Sequence, residues 1–337
     1  MTTTQKPVVA RASRPKILVL AKKSALRVHL VGRDIGRHER VEELLKAKDR
    51  TVRRMRGAHV QHESTLIEVQ EALAQLGCDV TLVTAAELDE FRVVDPRGHD
   101  FIVTVGGDGT LLAASHGIRE TPVLAINSAP DYSVGFFCAG RMGHVREVFR
   151  KALDGALPLT KLTRMQVAKN DVVVTTRVLN EALVCCASPA ATTRYILEHG
   201  SIAEEQKSSG IWIGPAAGST AAQRSAGGRV LPLSSDKLQY VVREPYTPAG
   251  QTFRLPRGLV GHDDELVMRA KMGEGRLFVD GPHEVYSMTI GDVLRFRASD
   301  EPLHLLGALR RKDWKARTTG RRATAVPRPP TKRRARA

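Results

Sequence analysis

At 337 residues and 42% apolar side chains, the chain has material for a full core and a length that suits two domains. No run reaches the roughly 20 apolar residues that cross a bilayer, which excludes a spanning helix, and Met1 to Pro15 has no apolar signal core, which argues against secretion. The net charge of +16 looks like a nucleic-acid signal until it is localised: it is concentrated at one end, and the first 309 residues carry only about +5, modest for a domain that binds polyphosphate-bearing ligands.

Residues 1–14 carry Lys6, Arg11 and Arg14 without an acid and read as a disordered leader. A cytoplasmic protein is expected, with the mitochondrial matrix as the alternative that a basic leader leaves open. From Lys16 the chain alternates strand and helix. Lys16–Leu20 opens as a strand, and Arg37–Leu76 reads as two helices with a break near Gly57 and Ala58. Cys78–Val83 is the next strand, followed by a short acidic helix. Phe101–Val105 is apolar throughout and leads through Gly106-Gly107-Asp108-Gly109-Thr110 into a helix expected over Leu111–Gly117. Pro122–Ile126 and Val145–Leu153 add a strand and a helix. Strands separated by helices predict a Rossmann-like parallel α/β domain over 15–157, with ligands at the carboxyl ends of its strands.

Beyond Pro158 the texture changes to short strand-like runs. These are Leu162–Ala168, Val172–Leu179, Ala182–Cys186, Thr192–Leu197, Ile211–Ile213, Leu238–Val242, Glu265–Ala270, Arg276–Val279 and Glu284–Ile290, with Asn170-Asp171 as a hairpin tip. They predict a β-sandwich over 158–309, whose last apolar run, Leu303–Leu309, is a candidate to return to the first domain. Residues 310–337 hold twelve Lys/Arg against Asp313, with Pro327, Pro329 and Pro330 among them. They read as a disordered basic tail whose contacts with nucleic acid would be non-specific and salt-sensitive. Cys78, Cys138, Cys185 and Cys186 form no C-x-x-C pair, so reduced thiols and no metal-ligand set are expected.

Chemistry concentrates in the turn after Phe101–Val105. Gly106, Gly107 and Gly109 let the backbone approach a ligand closely, and the N–H groups of a following helix favour phosphate. Asp108 is the odd element, because a carboxylate adds nothing to a pure anion site but serves where a hydroxyl proton must be accepted or a metal held. A capped turn, a lipid kinase and a phosphofructokinase-like enzyme all fit the pentapeptide alone. There is no G-x-x-x-x-G-K-[ST] and no G-x-G-x-x-G. Asn180-Glu181 lies between two apolar runs, Gly218-Ser219-Thr220-Ala221 is followed by Ser225-Ala226-Gly227-Gly228, and Asp280-Gly281 ends a strand.

In this order and spacing, the motifs resemble the NAD kinase family, across about Lys16 to Leu309. Val19-Leu20-Ala21-Lys22, the run Gly106–Ser115, Gln206-Lys207-Ser208-Ser209-Gly210 and Arg243-Glu244-Pro245 are similar to its mitochondrial-type branch and bacterial relatives. The resemblance implies transfer of the terminal phosphoryl of ATP to the adenosine 2′-hydroxyl of NAD, with Mg²⁺, at a site between the two domains. It implies Asp108 as base and Gly106, Gly107, Gly109 and Thr110 along the phosphates. Asn180, Glu181, Thr220, Ala221 and Ser225 would hold NAD, and subunits sharing a site would make the protein a homodimer or higher homo-oligomer. Two departures stand out. Ser209-Gly210 replaces the usual Asp-Gly, and Pro215–Ala222 lacks the Tyr that can stack on adenine, which leaves Tyr195 as a candidate substitute. A lipid or sphingoid kinase and a non-catalytic NAD(P)-binding regulator are the alternatives.

Overall fold

The computed structural model describes residues 13–31, 35–86, 88–248 and 252–308; the expected basic tail, Leu309 and residues 1–12 of the expected leader lie outside them. The first half runs β1 (Lys16–Lys22), α1 (Ala25–Val31), α2 (Ile35–Lys46), α3 (Arg53–Gln75) and β2 (Asp79–Ala85). A 3₁₀ turn (Leu88–Val93) leads to β3 (Phe101–Gly106), α4 (Asp108–Ser115), β4 (Val123–Asn127), the two-residue β5 (Gly140–Arg141) and α5 (Val145–Leu153). Then come β6 (Leu159–Leu162), β7 (Met165–Lys169), β8 (Val172–Val178), β9 (Ala182–Cys186), β10 (Thr193–His199), β11 (Ile202–Ser208) and β12 (Ile211–Gly214). A 3₁₀ turn (Ala216–Thr220) and the single-turn α6 (Ala222–Ser225) interrupt the strands. The series ends with β13 (Leu238–Val242), β14 (Arg257–Val260), β15 (Glu265–Ala270), β16 (Gly275–Val279), β17 (Glu284–Met288), β18 (Val293–Ala298) and β19 (Leu303–Leu306). No helix among the described residues is long and apolar enough to cross a membrane.

The first sheet has the order β2-β1-β3-β4-β19-β6, with β5 also on β4; the pairs from β2 to β4 are parallel, and β6 is antiparallel to β19. The uninterrupted apolar runs of β1, β3 and β4 follow from burial on both faces. Ile17, Val19 and Ala21 pack with α3 and α5, while Leu18 and Leu20 pack with α4 and the first 3₁₀ turn. Two six-stranded sheets, β11-β10-β15-β18-β7-β8 and β14-β13-β12-β9-β16-β17, are antiparallel throughout and enclose one apolar core. The chain is therefore a parallel α/β unit joined to a β-sandwich. Asn170 and Asp171 both take positive φ (49° and 62°) at the β7–β8 tip, where short polar side chains tolerate that conformation.

Four local expectations are corrected. The break between α2 and α3 falls at 47–52, with Lys48 at φ 53°, and Gly57 lies inside α3. Gly57 is there for space, since a Cβ would collide with the Tyr132 hydroxyl. Helix α4 begins at Asp108, three residues before the expected start, because Gly107 already ends the strand in an extended conformation. The run 162–168 splits at 163–164, where the chain leaves the first sheet as β6 and enters the sandwich as β7. Strands β11, β14 and β18 were not expected. In β18 the inward Leu294, Phe296 and Ala298 alternate with Arg295 and Arg297, a period-2 signal hidden by the charges.

The polar part of the join between the units centres on the C-terminal end of α4. Arg164 is fully buried, and its Nη1 donates to the carbonyls of Ser115 and Ile118, both at 2.9 Å. Arg177 donates to the His116 carbonyl (2.8 Å) and pairs with Glu301 (2.8 Å). Two cations thus meet the carbonyl end of the helix, where its dipole favours positive charge. Arg164→Met should remove a side-chain donor from the Ser115, Ile118 and Glu301 carbonyls and cost about 3 kcal/mol, read as a lower urea midpoint. An unchanged midpoint would show that the cap contributes nothing.

Candidate active site

The site starts at the carboxyl end of β3. Gly106 is tied into the sheet, its carbonyl accepting the Ser128 N–H at 2.8 Å, and a Cβ on it would collide with the Thr110 side chain. Gly107 caps α4 in extended geometry with no side-chain cap bond, so the helix start offers its N–H groups outward. Asp108 is the first residue of the helix. Its two carboxylate oxygens accept the N–H groups of Phe136 and Phe137, each at 2.9 Å. Burial raises its pKa, and those backbone donors hold the rise in check. Gly109 is exposed, while Thr110 is buried with an Oγ1 that finds no partner among the described residues.

The second wall comes from the sandwich. Asn180-Glu181 forms the turn between β8 and β9, and Asp280, at φ 47° after β16, clamps it. Oδ1 of Asp280 accepts the N–H groups of Asn180 (2.7 Å) and Glu181 (3.0 Å), and Oδ2 accepts that of Leu179 (2.8 Å). The Asp280 N–H donates back to the Glu181 carbonyl at 2.9 Å. Glu181 is itself buried, and its Oε2 has no partner. Burial, and then the Asp280 carboxylate, push its pKa up to about 7. A buried carboxylate oxygen without a donor is costly unless something brings one.

The glycine-rich segment closes against this turn. A Cβ on Gly214 or Gly218 would collide with the Asn180 carbonyl, so both glycines are required by close approach. Ser219 is fully buried. Its hydroxyl donates to the Ala216 carbonyl (2.6 Å) and accepts the Leu231 N–H (2.9 Å), which makes it a brace for the loop. Thr220 and Ala221 lie half-buried beyond it, and Ser225 ends α6 exposed.

Helix α4 joins the two walls. Its eight residues span about 12 Å. Beyond them, the Nε2 of His116 lies 2.9 Å from the Oδ2 of Asp280, the same carboxylate that clamps 179–181. Leu111 and Ala114 on α4 share one apolar cluster with Phe137, Leu179 and Ala217. The structure therefore brings the Gly106–Thr110 turn, Asn180-Glu181 and the 216–221 loop around one helix, with Ser225 at the outer end. The sequence reading missed the Phe136 and Phe137 donors and the His116 link. Gly135, at φ 63° and too close to Asn127 for a Cβ, was the available signal for the first.

Tyr195 cannot serve as an adenine platform. It is fully buried in the sandwich core, with its hydroxyl bonded to Gln206 and Ser208, both at 3.0 Å. The Gln206–Gly210 segment thus closes the sandwich from within, and at Gly210 (φ 118°) a Cβ would press on the Val184 carbonyl. Arg243 lies over Trp212, 5.6 Å from the ring centre.

Comparison with known proteins identifies the family and the fold. The family of ATP-NAD kinase N-terminal domains matches residues 28–156. A probable NADH kinase of Oryza sativa subsp. japonica is 35% identical over 226 residues, which is 60% of this chain and 69% of that protein. The NADH kinase of Arabidopsis thaliana is 34% identical over 230 residues, covering 61% and 72%. Among solved structures, a yeast NADH kinase complexed with NADH superposes with TM-score 0.66 at 13% identity, over 94% of this chain and 90% of that one. An NAD kinase from Archaeoglobus fulgidus in complex with ATP gives 0.59 at 19% identity, over 90% and 97%. The two structures share the fold, and the plant relatives share a third of their positions over more than two thirds of their length: the chain belongs to the NAD kinase family.

Proposed function

We propose that the protein transfers the terminal phosphoryl group of ATP to the adenosine 2′-hydroxyl of NAD, giving NADP and ADP. The observation that carries this reading is the Asp108 carboxylate, partly buried at the head of α4 and fixed by two backbone donors. In this role it accepts the 2′-hydroxyl proton as the oxygen attacks the γ-phosphorus and the bond to the β-γ bridging oxygen breaks. The burial that raises its pKa makes it a better proton acceptor than a solvated aspartate. Gly106, Gly107, Gly109 and Thr110 line the phosphates through the backbone and the free Thr110 hydroxyl. Asn180 and Glu181 hold the adenosine side, Glu181 Oε2 taking a ribose or base donor, with Thr220 and Ala221 alongside.

Mg²⁺ would supply charge neutralisation on the triphosphate. Among the described residues no group of three His, Cys, Asp or Glu side chains forms a cage, and this donor set suits an ion carried in with the nucleotide and held mainly by its phosphates. A homo-oligomer in the cytoplasm completes the reading; the exposed Ser225 would then meet NAD together with a neighbouring subunit. The plant relatives named NADH kinase favour NADH as a second acceptor.

Purified protein with ATP and Mg²⁺ should convert NAD, NADH or both to the phosphorylated form, with phosphorus NMR placing the new phosphate at the adenosine 2′ position. No product from either acceptor would overturn the reading. Glu181 adds a pH signature. Its carboxyl titrates near the ordinary value of 4.5 when unfolded and at about 7 when folded, so the folded protein holds an extra proton between those values. Stability should therefore fall as pH rises from about 4.5 through about 7, while affinity for the acceptor nucleotide rises as Glu181 ionises. Glu181→Gln should flatten both trends in urea melts and binding titrations; trends that survive the substitution would assign them elsewhere.

A further inference from the structure

The sheet order places a topological switch between β1 and β3. The connection from β1 reaches β2 on one side, and the chain then crosses to β3 on the other. Helix α3 packs on one face with Ile17 and Val19, whereas α4 packs on the opposite face with Leu18 and Leu20. The two connections diverge there and open a crevice beyond the carboxyl ends of β1 and β3, where open α/β sheets receive ligands. One side of that crevice is the Gly106–Asp108 turn. The other is Lys22.

Register fixes the position of Lys22. Ala21 pairs with Val105, so the next step along both strands sets Lys22 beside Gly106. Side chains alternate across the sheet, and Leu18 and Leu20 face α4, so Lys22 lies on the α4 side as well. It is half-buried, and no carboxylate among the described residues pairs with its ammonium. Burial alone shifts its pKa, downward, and the Asp108 carboxylate of the facing turn is bonded to the Phe136 and Phe137 N–H groups. His62 is buried and bonded to the Ser128 hydroxyl at 2.8 Å, its pKa held down by burial and by the Lys22 charge. Glu63, whose charge acts on His62, is engaged by Arg27 at 3.3 Å and His59 at 3.6 Å. An unpaired, partly desolvated ammonium at the mouth of a phosphate turn is a cation waiting for an anion.

We infer that Lys22 is a catalytic residue of the phosphoryl transfer, binding the ATP triphosphate across the crevice from the Gly106–Asp108 turn. The inference rests on the proposed reaction and adds to it the cation that the G-x-x-x-x-G-K-[ST] loop would otherwise supply. The lysine acts by charge and hydrogen bonding to phosphate oxygens and transfers no proton.

The test is steady-state kinetics of Lys22→Met and Lys22→Arg in the full chain. Lys22→Met should raise the KM for ATP about 10- to 100-fold with the KM for NAD within about twofold, and Lys22→Arg should recover part of the loss. An ATP KM that stays within about twofold of the unsubstituted protein, or a parallel rise in both KM values, overturns the assignment. Calorimetric titration with inorganic tripolyphosphate gives a readout independent of turnover. Binding that is present in the unsubstituted protein and lost in Lys22→Met supports Lys22 even if no NADP forms; equal binding in both refutes it. If Lys22→Met unfolds early, Lys22→Gln is read by the same criteria.

Discussion

Everything in the site depends on how α4 is held at both ends. At its head, Asp108 is fixed by the Phe136 and Phe137 N–H groups; at its tail, Arg164 and Arg177 occupy the last carbonyls. His116, one residue past the helix, reaches the aspartate that clamps the Asn180-Glu181 turn. Eight residues therefore fix the distance between the Gly106–Thr110 turn of one unit and the Asn180-Glu181 turn of the other. Phosphoryl transfer leaves little covalent work for a protein and much positioning, so a short, doubly anchored helix is a fitting device. The cationic tail of the helix complements its dipole while the head stays open to anions.

The site also carries deliberate local cost. The Glu181 carboxylate is buried beside a second carboxylate with one oxygen unpartnered, and the Thr110 hydroxyl is buried alone. In a folded protein such groups lower stability unless a ligand completes them. Ser219, in the 216–221 loop, shows the contrast: it is just as buried, but its hydroxyl is fully used inside the protein. The unsatisfied groups are where substrate is expected, and the satisfied one braces the loop.

Much of this was legible in the sequence. The continuous apolar runs of β1, β3 and β4 announced a parallel sheet, and the glycine turn lies where expected, between a buried strand and a helix. The change to short strands beyond Pro158 announced the sandwich. What escaped was decided by partners distant in sequence. Gly57 looked like a helix break because nothing local shows Tyr132 pressing on it. Tyr195 looked available because its burial between two sheets depends on pairings to β11 and β15. Arg164 lies within a run expected as one strand, and nothing local shows the carbonyls past α4 that it serves.

The central claim is that Asp108 serves the chemical step through its placement at the head of α4. Rapid-quench single turnover, with enzyme preloaded with NAD and mixed with ATP and Mg²⁺, isolates that step. The account predicts that Asp108→Asn slows phosphoryl transfer by about 10²-fold or more while NAD affinity stays within a few-fold. A transfer rate equal to that of the unsubstituted protein would contradict it.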